Sequence, residues 1–180
     1  SEFFCSKSPF VVELGCNDGI LLKNFSRKGI NHLGIEPSTN VAEVAKKNGV
    51  NVITEFFNEE LADKIISKEG KADIFLSANV MCHIPSINDV VCGIKKLIKK
   101  KGVVIFEDPY LGDIVRKNSY DQIYDEHVFL FSALSVRNLF NKYDMDLIDL
   151  EPLKTHGGSM RYFLSNKGEY EISKNVDKII

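Results

Sequence analysis

Seven short apolar runs punctuate the chain: Phe10–Leu14, His32–Ile35, Val50–Thr54, Ala72–Ser77, Val103–Glu107, Met145–Leu150 and Met160–Leu164. They favour β-branched residues and have the length of strands. Between the early runs the period changes to that of a helix. Leu21, Leu22 and Phe25 fall on one face, as do Val41, Val44 and Ala45. Val90, Val91, Ile94, Leu97 and Ile98 form the clearest stripe. That helix is predicted to start at an N-cap on Ser86, with Asp89 three residues on. It is predicted to end in Lys99-Lys100-Lys101-Gly102, where the lysines complement the helix dipole and Gly102 takes a left-handed cap.

Strand alternating with helix argues for a parallel sheet with helices on both faces, an α/β Rossmann-like fold. The last two runs are separated by too few residues for a helical crossover, so they are expected to close the sheet as an antiparallel hairpin. With 180 residues the chain is long enough for one well-buried core, and residues 1–180 are read as a single domain. The start at Ser1 rather than Met and the charged final stretch, Lys167 to Ile180, suggest a segment of a longer protein, its central part. A net charge of −2 offers no long-range attraction to nucleic acid or an anionic membrane. No apolar run approaches the ~20 residues of a membrane span. The cysteines Cys5, Cys16, Cys82 and Cys92 show no C-x-x-C pair, so reduced thiols in a cytoplasmic protein are expected.

The candidate chemistry begins at the first strand's end, "ELGCNDG". In open parallel sheets, ligands bind outside the carboxyl ends of the strands. The dinucleotide spacing G-x-G-x-x-G fails here, because Asn17 and Ile20 stand where glycines are needed. The spacing Glu13, Gly15, Gly19 instead looks like the nucleoside-methionine loop of S-adenosylmethionine (SAM) methyltransferases, with Asn17 and Asp18 inside the loop. Glu36, in "LGIEPS", ends the second strand, where a carboxylate can accept both ribose hydroxyls. Pro37 and Ser38 continue that corner. Phe57 or its neighbour Phe56 is placed to pack on an adenine or, equally, in the core. Asn79, after the fourth strand, is expected to face cofactor or substrate.

The second half supplies reactive groups. His83 follows the fourth strand on the ligand side, and "IYDEHVFLFS" crowds Tyr124, Glu126 and His127 together. His156 and Arg161, in and after the "HGGSMR" turn, suit a structural corner as well as substrate contact. His32 is expected at the surface.

The segments "ELGCNDG", "GIEPSTNVAEVAKKNGV", "ANVMCHIP", "FEDPYLGD", "IYDEHVFLFS" and "HGGSMR" together resemble sugar C-methyltransferases of deoxysugar biosynthesis, over about Val11 to Leu164. The resemblance implies a class I methyltransferase fold, SAM as cofactor with S-adenosylhomocysteine as product, and no metal in this domain. It implies a nucleotide-linked sugar as substrate and flanking zinc-binding and C-terminal domains on the same polypeptide. It marks His127 as the general base, with Tyr124, Glu126 and His83 as companions. Asp125 stands where the family varies. Two alternatives stay open: an O-methyltransferase using the same SAM site, and a SAM-binding domain inactive without its partner domains. Asp108-Pro109-Tyr110 also prompts comparison with amino-methyltransferases of nucleic acids, but it has one proline only, follows the fifth strand, and lacks the charge for nucleic acid.

Overall fold

The computed structural model describes residues 8–180; Cys5 lies outside them. Strands β1 (Phe10–Leu14), β2 (Asn31–Ile35), β3 (Val52–Ile53), β4 (Ala72–Ala78) and β5 (Ile98–Pro109) run parallel, and β6 (Met145–Leu153) and β7 (Ser159–Asn166) close the sheet. The order is β3-β2-β1-β4-β5-β7-β6, with β7 antiparallel to both neighbours. The chain reverses direction across the sheet between β1 and β4, where Val11–Leu14 pairs with Ile74–Ser77. The parallel sheet and the terminal hairpin are as the hydrophobic pattern predicts.

Alternation along β1 divides the core. Val12 and Leu14 join the large cluster with α3 (Glu59–Glu69), α4 (Ile87–Leu97), α6 (Ala133–Asn141) and α7 (Lys174–Ile179). Val11 faces the other way, onto Leu22 of α1 (Leu22–Ser26) and Ala45 of α2 (Thr39–Lys47). Glu13, two residues after Val11, therefore points to the α1 side of the sheet. Two helices owe their starts to local side chains. Asn58 accepts the Leu61 amide at 2.8 Å to open α3, and Ser132 and Ser135 cap α6 reciprocally.

Four expectations are corrected. Ile98 does not end α4; it is buried and pairs with Ala72, so the lysine run becomes the first part of β5. Lys99 reaches Asp73 at 2.7 Å, and Gly102, which has no positive φ, is needed because a Cβ there would meet the Ala72 carbonyl at 3.1 Å. Ser86 does occupy the N-cap of α4, but its side chain makes no cap bond; Asp89 instead accepts the Glu59 amide at 3.1 Å and ties α3 to α4. The third strand shrinks to Val52–Ile53, because only Gly34 and Ile35 of β2 pair with it. His32 is buried within β2, its Nδ1 2.8 Å from the Ile30 carbonyl and its Nε2 accepting the Asn51 amide at 3.3 Å. Among the described residues no helix is long and apolar enough to cross a membrane.

Candidate functional site

The first corner is built almost wholly from backbone. Gly15, Asn17 and Gly19 all have positive φ, at 67°, 53° and 79°. Asparagine is the non-glycine residue best suited to that region, which explains Asn17 where a glycine might stand. Gly15 is needed twice over, because a Cβ there would run into the Val80 side chain. Gly15 and Cys16 donate their amides to the Ile35 carbonyl at 2.8 and 3.3 Å, so the loop is pinned to the end of β2. Glu36 completes the pin. One oxygen accepts the Asn17 amide at 3.2 Å and the other the Ser38 amide at 2.9 Å. Each carboxylate oxygen keeps a lone pair for a further donor. Asp18 turns inward on the loop, accepting the Ile20 amide at 3.1 Å. Pro37 is half-buried, and Ser38 stands exposed at the N-cap of α2.

Beside this corner a cleft of about 230 Å³ opens over the carboxyl ends of β1, β4 and β5, lined by Glu13, Leu21, Ser77, Ala78, Glu107 and Arg161. Glu13 is 5% exposed, and its Oε2 has no hydrogen-bond partner. Burial pushes its carboxyl from 4.5 up to about 7. Arg161 spans Glu107 and Glu151, at 2.9 and 3.0 Å. A larger cavity of about 730 Å³ lies at the far edge, along β2, β3 and α3, away from these groups.

Asn79 follows β4 with φ of 56°, its amide on the Glu107 carbonyl at 2.7 Å. Phe57 is turned into the core against Phe75, with ring centroids 5.3 Å apart, while Phe56 stands 79% exposed. Phe57 follows the core alternative because Gly93 of α4 leaves room for its ring. Of the pair, the side chain that remains free at the surface is Phe56.

The second constellation is assembled across distance. A single 3₁₀ turn, Met81–His83, follows β4 and carries Cys82 and His83. Residues 118–131 fold back over it. Phe129 donates to the Cys82 carbonyl at 3.1 Å, and Phe131 bridges to Tyr110 beside α5 (Leu111–Lys117). This brings His127 to His83, ring centroids 5.0 Å apart, and Tyr124 to His127 at 4.2 Å. Both imidazoles are held the same way: Nδ1 of His83 lies 2.8 Å from the Glu126 carbonyl, and Nδ1 of His127 lies 2.7 Å from the Gln122 carbonyl. A ring nitrogen facing a carbonyl must carry the proton, so the lone pair of each neutral ring sits on Nε2. The Nε2 of His127 is buried and unpartnered. Glu126 contributes its carbonyl to His83, while its side chain is exposed. The group orienting His127 is thus the Gln122 carbonyl, which no side-chain pattern could reveal.

Asp108, at the end of β5, is 1% exposed beneath this turn. The Cys82 thiol and the Val80 and Cys82 amides face its carboxyl without closing well-formed hydrogen bonds. Burial pushes Asp108 up to about 7, against the pull of those donors, and pushes the Cys82 thiol up as well. Cys16 is also buried and is pushed up to about 12. His156 is exposed in the 3₁₀ turn Thr155–Gly157.

The two constellations share one end of the sheet, joined where Val80 meets Gly15. Known proteins share this fold. A SAM-dependent methyltransferase from Anabaena variabilis superposes with a TM-score of 0.71 at 17% identity, covering 92% of this chain and 80% of its own. The magnesium protoporphyrin IX methyltransferase of Synechocystis PCC 6803 with bound SAH gives a TM-score of 0.68 at 15% identity, covering 89% and 75%. These likenesses concern the fold. In sequence, the C-methyltransferase NovU of Streptomyces niveus is 33% identical over 153 residues, 85% of this chain and 36% of its own length. The ubiquinone biosynthesis O-methyltransferase of Erwinia tasmaniensis is 31% identical over 101 residues, 53% of this chain and 40% of its own. The chain thus spans well under half the length of either relative. Residues 2–150 match the family described as "Methyltransferase domain", and the chain belongs to that family.

Proposed function

We propose that this chain is the catalytic domain of a SAM-dependent C-methyltransferase acting on a carbon beside the ketone of a nucleotide-linked sugar, with His127 as the base. The observation that carries the reading is the state of His127. Its Nδ1 proton is committed to a carbonyl, and its Nε2 lone pair is buried and unused, beside the rings of Tyr124 and His83. An imidazole so prepared is a general base waiting for a proton. The name of the C-methyltransferase relative supports carbon as the acceptor.

The first corner fits SAM on its own residues. Glu13 carries an orphaned buried oxygen suited to an ammonium group. Glu36 retains lone pairs for ribose hydroxyls, and the Gly15–Gly19 bend exposes backbone for close approach. SAM, when bound, supplies an electrophilic methyl on sulfonium. The chain's residues make the nucleophile. His127 Nε2 takes the hydrogen from the carbon next to the substrate's carbonyl, and the electron pair spreads onto the carbonyl oxygen. The Tyr124 hydroxyl stands ready to donate to that enolate, and His83, whose neutral ring carries a lone pair on Nε2, donates to it only as the imidazolium. Glu126, exposed at the rim, is assigned to a substrate hydroxyl. In this reading the nucleotide is held by flanking domains of the same polypeptide.

The test follows hydrogen rather than methyl. A 4-keto sugar nucleotide in deuterated water with enzyme and S-adenosylhomocysteine should exchange the hydrogen beside its carbonyl, and His127→Gln should not exchange it. Exchange that survives in His127→Gln removes His127 as the base. One observation favours a second reading: the ubiquinone O-methyltransferase matches half of the chain. An O-methyltransferase would methylate a hydroxyl acceptor and exchange no carbon-bound hydrogen.

A further inference from the structure

The fold gathers a thiol and two imidazoles from two separate segments, the turn after β4 and the stretch laid over it. One ligand atom from each of Cys82, His83 and His127 lies within 4.8 Å of the other two. Both imidazoles give Nδ1 to a backbone carbonyl. That is how metal-binding histidines are prepared: the outer N–H fixes the ring and strengthens the donor on the other nitrogen. The His127 Nε2 is enclosed without a partner. Cys82 is buried behind the pair with the Asp108 carboxyl at its back, an acidic neighbour that favours a cation. The two ring centroids lie 5.0 Å apart with their planes tilted at 36°.

We propose that Cys82, His83 and His127 form a binding site for a borderline-soft divalent cation, with Zn²⁺ as the type, and that the loaded form is catalytically silent. The donor set decides the ion. One sulfur and two imidazole nitrogens select zinc over magnesium or calcium, which require oxygen. Tetrahedral zinc holds such atoms about 3.4–3.6 Å apart, given Zn–N near 2.0–2.1 Å and Zn–S near 2.3 Å. Side-chain movements of about 1 Å would close this cage to that size. Three protein ligands leave a fourth position for water. On binding, a Zn–S bond forms, the thiol proton leaves to solvent, and no electrons change hands. The metal then occupies the lone pair that would accept the substrate's hydrogen.

The site itself does not depend on methyl transfer; the silencing rests on His127 as the base. Two measurements keep them apart. Co²⁺ added to the metal-free full chain should produce the visible bands of tetrahedral cobalt and a near-ultraviolet thiolate-to-cobalt band, both erased by Zn²⁺. Cys82→Ser should lose the thiolate band and bind Zn²⁺ at least tenfold more weakly, and Cys82→Ala, which cannot ligate, should do the same. Octahedral cobalt, or a Zn²⁺ affinity in both variants equal to that of the parent chain, overturns the site. In the second measurement, Zn²⁺ should suppress methyl transfer reversibly with chelator, and Cys82→Ser should resist that suppression when its turnover with Zn²⁺ is compared with its own metal-free turnover. Turnover that falls when metal is stripped overturns the silencing and leaves the site. Tight Zn²⁺ binding with undiminished turnover also overturns the silencing, and in addition counts against His127 as the base.

Discussion

The β1–β2 corner and the imidazole pair are both needed for the proposed chemistry, yet they are made in opposite ways. The corner is local and stiff. Three residues in the left-handed region, amides on the Ile35 carbonyl and a bridging Glu36 hold it through the backbone. The imidazole pair is long-range: His83 belongs to the turn after β4, His127 to a segment laid over it, and carbonyls of Gln122 and Glu126 set both tautomers. A rigid corner suits a cofactor whose shape never varies. A constellation built on a covering segment suits a substrate-facing site, where binding and closure adjust together.

The largest effect should come from the long-range half. His127→Gln removes the proposed base and should lower turnover by about 10²- to 10⁴-fold, with SAM affinity by calorimetry unchanged. If turnover stays near normal, the imidazole pair is not the reactive centre. If SAM affinity falls in parallel, the two regions are not separate.

Gly15→Ala strikes the corner instead. The left-handed φ costs an alanine about 1–2 kcal/mol, and overpacking against Val80 adds about 1–3 kcal/mol. Denaturant unfolding should show a loss of roughly 3 kcal/mol with SAM binding abolished. An alanine tolerated at full stability would mean that the bend is soft, and the contrast between the regions would collapse.

That contrast also explains what the sequence could reveal. The corner was legible because its determinants lie within a few residues: two glycines, Asn17, and a carboxylate at the next strand's end. The sheet was legible because strand alternation repeats. The lysine run misled because helix-end chemistry and a strand start look alike until Ile98 is seen to pair with Ala72. His32 misled because a polar residue at a strand's start gives no sign of the Ile30 carbonyl and Asn51 amide that satisfy it when buried. The imidazole pair was legible as residue types but not as an arrangement. Its orienting groups are main-chain carbonyls, identical for every residue, and Cys82 joins only through folding. Asp108 carried a signal of a kind, a charge ending an apolar strand.

Glu13 lies between the two regions and sharpens the comparison through pH. Its carboxyl is raised by burial from 4.5 to about 7. The folded chain therefore binds a proton there that the unfolded chain has released. The contribution of Glu13 to stability should be most favourable below about pH 4.5 and be lost as pH rises to about 7, by up to about 3 kcal/mol. Glu13→Gln should match the parent near pH 4.5 and exceed it at pH 8, as seen in paired urea titrations. The same variant should bind SAM more weakly at pH 8, since it offers no charge to an ammonium. A difference between the two proteins that does not change with pH would place the ionised carboxylate in the folded state already.

The smallest effect is the most local. Glu36→Gln keeps the shape but replaces one accepting oxygen with an amide that donates. Either the Asn17 or the Ser38 amide then faces a donor, and one of the two pins is lost. The carboxylate is only half-buried, so the cost in stability should be about 1 kcal/mol. Hydrogen exchange should locate it at Asn17 or Ser38. SAM affinity should drop roughly tenfold, because a ribose hydroxyl would lose a charged acceptor. Faster exchange at those amides with unchanged SAM affinity would make Glu36 a splint for the corner and remove it from the ribose. Unchanged exchange with weakened binding would do the reverse: the corner would stand without its pins, held by the glycine bend and the Ile35 carbonyl alone.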